Sequence, residues 1–149
     1  MFRLTVVATV PLALTTAIVR GTANETVMEK SLLTGSTVPV PVRAILERAC
    51  QDCHSQTTVW PWYSHVPPIA WQIHTDVERG RALMDLSKWK DFSESEPRGF
   101  TAGIGAAVQN HLMPPRKYVW LHPEARLSSD ELELVRAWAL AENKTAKKQ

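Results

Sequence analysis

The residues best suited to chemistry are Cys50, Cys53 and His54, which stand together in the run Cys-Gln-Asp-Cys-His. On a helix, residues three apart lie on the same face, so both thiols can point in one direction. Each thiol can then add to one vinyl group of a porphyrin, and the imidazole that follows can bind its iron. A C-x-x-C-H run is typical of a covalent haem attachment site. We therefore predict haem c, attached through Cys50 and Cys53, with His54 as an iron ligand.

Three other uses of these cysteines are weaker. A thioredoxin-like redox pair has the same spacing but needs a βαβ context, and no strand pattern surrounds Cys50. A structural zinc site would need two histidines at close spacing, whereas His111 and His122 are far apart. A disulfide would leave His54 unexplained. The two cysteines are all that the chain contains, so haem attachment would use every thiol.

Residues 1–23 predict an export segment. An uncharged run of 16 residues, from position 4 to position 19, is shorter than the roughly 20 residues that span a bilayer. Small residues follow at positions 21–23, which favours cleavage by a signal peptidase before Asn24. Arg20 lies close to that site, so an uncleaved anchor in the inner membrane is the alternative. In both cases we expect a periplasmic or otherwise exported protein.

Composition restricts the partners. The chain has 17 basic and 15 acidic residues, and cleavage would remove Arg3 and Arg20, which leaves equal numbers. The remaining length of about 126 residues suits one domain. No basic patch is concentrated anywhere before the terminal lysines, so we expect no nucleic-acid partner, and membrane contact through an uncleaved N-terminal segment alone. The predicted organisation is an export segment (1–23), a linker (24–38), a haem-binding domain (39–142) and a disordered basic tail (143–149).

The remaining pattern predicts helices. Apolar residues at helical spacing from position 42 to position 49 predict a helix that begins near Pro41 and runs into the cysteine motif. The prolines of 55–68 predict a loop. Helices are expected at about 69–84 and 99–110, with a charged, turn-like segment between them. Within the second of these, Gly103 and Gly105 either weaken the helix or allow close approach to the haem.

The last predicted helix has the clearest start. Ser128 and Glu131 have the spacing of a capping box, and Leu127 with Leu132 forms a hydrophobic staple around it. No strand pattern or internal repeat is found. The predicted fold class is therefore all-α, a small helical domain around one haem.

Met113 is the predicted second iron ligand. It precedes two prolines, which prevent helix formation and stiffen a loop that can present the thioether. Met28 lies in the linker and Met84 in a helical pattern, where core filling is the more usual role. Imidazoles remain alternatives, because histidine is also a common haem ligand. These are His65 and His111 first, then His74 and His122.

Aromatic side chains are abundant near the motif. Trp60, Trp62, Tyr63 and Trp71 are predicted to line the haem, although they would serve equally well in a core.

In their order these features resemble a class I cytochrome c. More closely, residues 38–140 resemble the bacterial haem-binding domain family of small monohaem cytochromes. The resemblance rests on Cys50–His54, Trp60–Ser64, Trp71, Met113–Pro115 with Tyr118, and Leu127–Trp138. It implies a small helical haem domain, often exported. In class I relatives a proline precedes the carbonyl that receives the proximal imidazole N–H, and Pro67 or Pro68 resembles that proline.

The expected function is one-electron transfer between periplasmic donor and acceptor proteins. The alternative is a haem-based sensor or gas-binding module in which Met113 is displaced. A second C-x-x-C-H run is absent and no acid–base pair stands out, so we expect no enzymatic activity and name no catalytic residue.

Overall fold

The computed structural model describes residue 33 and residues 36–91 and 96–146, all within a unit that spans 31–149. These residues form six α-helices: α1 Val40–Ala49, α2 Gln51–His54, α3 Ile69–Leu83, α4 Glu96–Gln109, α5 Arg116–Leu121 and α6 Ser129–Ala146. Short 3₁₀ helices lie at Trp62–His65, Leu86–Asp91 and Pro123–Ala125. The described residues contain no strand, so the predicted all-α class is confirmed.

The ends of the chain bear on the predicted domain organisation. The export segment 1–23 lies outside the described residues. Leu33 and Val38, which belong to the predicted linker, are buried. At the other end α6 extends to Ala146, into the segment predicted as a tail. Among the described helices, none has the length and apolar character needed to cross a bilayer.

The core lies where α4 crosses α6. A Cβ added to Gly105 of α4 would stand 2.6 Å from the Cβ of Ala139, so these helices approach closely. Trp89 and Trp138 pack with ring centroids 6.5 Å apart. Helix α1 packs on α6, and its apolar face is buried in the same core. The buried cluster consists of Leu33, Val38, Val42, Ile45, Leu46, Leu86, Trp89, Ile104, Val108, Val135, Trp138 and Ala139.

The start of α6 is fixed to α1. The capping box is confirmed: the Ser128 amide donates to the Glu131 carboxylate at 2.8 Å, and the Glu131 amide donates to Ser128 Oγ at 3.2 Å. The Arg48 guanidinium of α1 donates to the same carboxylate and to the carbonyls of Glu124 and Arg126. The helix that leads into the cysteine motif is thereby joined to the C-terminal helix.

The end of α4 turns the chain back towards the helix. His111 has a φ of 53°, the left-handed conformation that commonly ends helices. Its amide donates to the Val108 carbonyl at 3.1 Å, and the Leu112 amide donates to the Ala107 carbonyl at 2.9 Å. The Met113 amide also donates to Ala107, at 3.3 Å. The hydrogen bonds from the His111 and Leu112 amides together form a Schellman motif, which fixes where the Met113 loop leaves the helix.

Candidate functional site

The cysteine motif is positioned by close packing against α3. A Cβ added to Gly80 would lie 2.4 Å from the backbone oxygen of Cys53, so any larger residue there would displace the motif. The neighbouring Arg81 donates from Nε to the Ser55 carbonyl at 2.8 Å and from Nη2 to Thr58 Oγ1 at 2.9 Å. Helix α3 therefore fixes both the motif and the segment that follows it.

His54 is oriented by a backbone carbonyl. Its Nδ1 lies 3.1 Å from the oxygen of Met84. With the Nδ1 proton donated to that carbonyl, Nε2 keeps a free lone pair, which is the usual arrangement of a metal-binding histidine.

The carbonyl belongs to Met84 and not to the Pro67–Pro68 region that the cytochrome resemblance implied. Pro68 precedes the first turn of α3, and that helix uses its interior carbonyls in its own hydrogen bonds. Carbonyls at the C-terminal end of a helix have no intrahelical partner, and Met84 caps that end. The end of α3 is therefore where a free acceptor meets the motif.

A hydrogen-bond network holds the Met84 segment in place. Asp85 is 5% exposed, and its carboxylate accepts from Gln56 Nε2 at 2.7 Å and from the Ser87 amide at 3.0 Å. The Gln56 amide in turn donates to Ser87 Oγ at 2.8 Å. The segment after the motif and the segment after α3 are thus joined, which stabilises the carbonyl that orients His54.

His54 and Met113 line the same cavity, which we call the histidine–methionine cavity. Its volume is about 340 Å³, and most of its remaining wall comes from α4. Gly99, Gly103 and Ala107 of α4 line it at intervals of four residues. A Cβ added to Gly99 or Gly103 would meet nothing within 4 Å. This wall therefore leaves room for a flat group beside the helix.

The two thiols are half-buried and their environment disfavours the thiolate. Both are free, and burial raises the pKa of Cys50 to about 12. Burial also raises the pKa of Cys53. Redox-active pairs have a lowered thiol pKa, so the thioredoxin-like alternative is disfavoured. Within the described ranges, no group of three or more histidine, cysteine or acidic residues is arranged to hold a metal ion.

A second cavity of about 350 Å³, the aromatic cavity, lies between the motif, α3 and α5. Cys53 lines it, as do the rings of Trp60, Tyr63, Tyr118 and Trp120.

Tyr118 ties α5 to the motif at this cavity. Its hydroxyl donates to Asp52 Oδ2 at 2.8 Å, and its ring stacks on that of His122 at 4.4 Å. Burial and the bond to Asp52 raise the pKa of Tyr118, so its hydroxyl stays protonated.

The four aromatic residues predicted to contact haem fall into two groups, one at the aromatic cavity and one on the surface. Trp60 and Tyr63 line the aromatic cavity. Trp62 and Trp71 are 79% and 69% exposed, and neither lines either cavity. Contact of any of the four with haem stays a prediction.

The alternative histidine ligands lie elsewhere. His74 stacks on Trp60 at 4.6 Å, and His122 bonds to Tyr63 and Glu124. His65 and His111 are exposed, and none of the four lines the histidine–methionine cavity. The second methionine at that cavity is Met84, whose carbonyl bonds to His54. The ligand role of Met113 stays a prediction.

Sequence reasoning missed the contributions of Asp52, Asp85 and His122. All three act through hydrogen bonds to residues distant in the chain, and no local spacing signals such bonds. Tyr118 was noticed through the resemblance, without a role.

Comparison with known protein families identifies the group. The sequence model of the family described as haem-binding domain matches residues 10–141 of this chain. The chain belongs to this family. No match to a curated protein or to a solved structure was found.

The residues of this haem-binding domain fit the cofactor. The histidine–methionine cavity offers an imidazole with Nε2 available, a thioether and a mostly apolar lining with a wall of small residues. Neither thiol lines this cavity, but both lie within one helical turn of its imidazole. Haem binding is therefore supported both by the family and by the donors that the structure brings together.

Filling the small-residue wall should exclude the cofactor. We expect Gly103→Leu to reduce haem incorporation about tenfold, because the new side chain would extend into the histidine–methionine cavity. Haem content per protein, measured by the pyridine haemochrome spectrum, tests this. Ala102→Leu is the matched control, since Ala102 is exposed on the same helix and outside that cavity. Equal haem content in both variants would contradict the assignment of the wall.

Proposed function

We propose that the protein is a monohaem c-type cytochrome that transfers single electrons between exported redox partners. Cys50 and Cys53 would attach the haem through thioethers, and His54 and Met113 would bind its iron. The observation that supports this best is that His54, with Nδ1 bonded to a carbonyl, lines one cavity with Met113.

Covalent attachment is supported by the placement of the thiols. Cys50 caps the short helix α2 and Cys53 lies within it, next to His54. Both sulfurs therefore leave the backbone within one turn of the imidazole. A haem bound by that imidazole would have both thiols close to its edge.

Electron transfer is favoured over gas sensing by the way the Met113 loop is held. The Leu112 and Met113 amides both donate to the Ala107 carbonyl, and two prolines follow. A loop held at both sides opposes the displacement of its thioether. With His54 and Met113 both holding the iron, little rearrangement would accompany reduction, and methionine–histidine ligation would raise the potential of the haem.

A carrier also needs an accessible cofactor edge. Leu83 and Met113 line the histidine–methionine cavity and are 72% and 36% exposed, so the cavity reaches the surface. Electron donors and acceptors could approach there. If His54 and Met113 both hold the iron, it would have no free site for substrate, which supports the proposal that the protein has no catalytic activity of its own. Export, proposed from residues 1–23, would place these partners in the periplasm.

Covalent attachment can be tested on the protein produced with a haem-maturation system and exported. We expect the haem to stay with the chain through denaturation and acid–acetone extraction, and the intact mass to include one haem. Cys50→Ala and Cys53→Ala should each either keep a single thioether or lose the haem. Haem that extracts completely from the wild-type protein would reject the proposal.

A further inference from the structure

We infer that the aromatic cavity binds a hydroquinone, which would be the small-molecule electron donor of this protein. The inference rests on the proposed function, because it needs a haem that accepts electrons. It names the donor, which the sequence analysis expected to be a protein.

The shape and lining of the aromatic cavity suit a flat, mainly apolar molecule. Its volume of about 350 Å³ lies in the range of small-molecule sites, which combine apolar walls with a few polar groups. Aromatic rings line it from the loop before α3 and from α5, and the aliphatic side chains of Ile69, Ile73 and Val77 line it from α3. Aromatic rings pack favourably against one another by offset stacking and edge contacts.

The charges at the cavity favour a neutral ligand. Lys117 and Asp76 pair with each other at 2.7 Å, which leaves neither free to bind an ionic group. The Asp52 carboxylate accepts from the Tyr118 hydroxyl at 2.8 Å and from the Val59 amide at 3.1 Å. No unpaired cation faces the cavity among its lining residues in the described structure, so an anionic ligand lacks a partner. A hydroquinone is flat and uncharged.

A chain of hydrogen bonds leads protons away from the cavity. The Tyr63 hydroxyl lies on the cavity wall and is hydrogen-bonded to His122 Nε2. Nδ1 of the same imidazole lies 2.9 Å from Glu124 Oε1. A carboxylate can only accept a hydrogen bond, so Nδ1 carries the proton and donates it to Glu124, and Nε2 accepts from the Tyr63 hydroxyl. Glu124 is exposed to water, and its pKa is lowered, chiefly by a backbone hydrogen bond and then by His122. A phenol, an imidazole and a carboxylate thus connect the cavity to solvent.

The cavity also adjoins the proposed site of haem attachment. Cys53 lines it, and a thioether on that sulfur would place the edge of the porphyrin next to a bound ring. Two electrons and two protons leave a hydroquinone when it becomes the quinone. One protein molecule would take the first electron and proton, and the one-electron-oxidised ring would then give the second electron and proton to another protein molecule, each electron being accepted by a ferric haem. Each hydroxyl proton would pass to Tyr63 while Tyr63 gives its own proton to His122, and His122 gives the Nδ1 proton to Glu124 and water.

Binding is tested first, with duroquinone and the haem-loaded protein in a calorimetric titration. The ring of duroquinone is fully substituted, which prevents addition to thiols. We expect Trp120→Ala to weaken binding about tenfold, because Trp120 lines the cavity and is 80% exposed, so its removal spares the core. Leu140→Ala, at an exposed apolar residue of α6 that lines neither cavity, should bind as the wild type does. Absence of binding, or equal binding by Trp120→Ala and wild type, would overturn the inference.

Electron transfer is tested by mixing duroquinol with the ferric protein and following the reduced haem bands. We expect one duroquinol to reduce two haems. We also expect duroquinol to reduce Tyr63→Phe on the order of a hundredfold more slowly than the wild type, because the substitution keeps the ring on the cavity wall but removes the hydroxyl from the proton path. Reduction by dithionite gives the reference rate for each variant, and the ratio of the duroquinol rate to the dithionite rate should fall in Tyr63→Phe and stay at the wild-type value in Leu140→Ala. A haem reduced by dithionite but not by duroquinol would reject the quinol site and leave the proposed function intact, whereas haem that extracts freely would reject the cytochrome proposal itself.

Discussion

Gly80→Ala should destabilise the haem-loaded protein by about 2 kcal/mol, although alanine is the better helix former. The substitution gains about 1 kcal/mol of helix propensity inside α3. Against that, the new Cβ would lie 2.4 Å from the Cys53 carbonyl oxygen, and overpacking of this kind costs up to about 3 kcal/mol. The obstacle is backbone, which cannot rotate away as a side chain can. The motif and α3 must therefore move apart.

Denaturant unfolding of the haem-loaded protein measures this effect. Glu78→Ala is the control, since Glu78 is exposed on the same helix. Its unfolding midpoint should remain close to that of the wild type. We also expect Gly80→Ala to incorporate less haem, because Cys53 and His54 would be displaced together. A Gly80→Ala protein that is more stable than the wild type would show that α3 does not pack on the motif as described.

Met113→Leu should lower the midpoint potential of the haem by on the order of 0.1 V. This is a small part of the ~0.8 V range over which different iron ligands set haem potentials. Loss of the thioether removes a ligand that favours reduced iron, while leucine has a similar volume. Met84→Leu is the matched control, because Met84 lines the same cavity and contributes a backbone carbonyl that the substitution keeps. Spectroelectrochemical titration of both variants gives the comparison. A potential that falls in Met84→Leu and not in Met113→Leu would assign the thioether ligand to Met84 instead.

Local signals predicted much of this fold. The apolar spacing before the motif predicted α1, although the helix begins at Val40, which places Pro41 within its first turn. The capping box predicted the start of α6 because both of its hydrogen bonds lie within four residues. Helix α4 begins at Glu96, before the expected Gly99, so the charged segment is partly helical. Helix α5 was missed, because six residues are too few to show a period.

The site was predicted only as far as its motifs extend. Cys50, Cys53 and His54 are recognisable from spacing alone, and the prolines distinguish Met113 from the other methionines. The Met84 carbonyl could not be predicted, because its role depends on where α3 ends in space. The same holds for Asp85, whose carboxylate accepts a hydrogen bond from Gln56, 29 residues away in the chain. Such long-range contacts leave no period or motif in the chain.

The near-infrared spectrum of the oxidised wild-type protein tests the central claim most directly. Iron bound by His54 and Met113 should show the weak sulfur-to-iron charge-transfer band, which Met113→Leu should abolish and Met84→Leu should retain. Absence of the band from the wild type would contradict the claim, because iron in the histidine–methionine cavity would then lack its thioether.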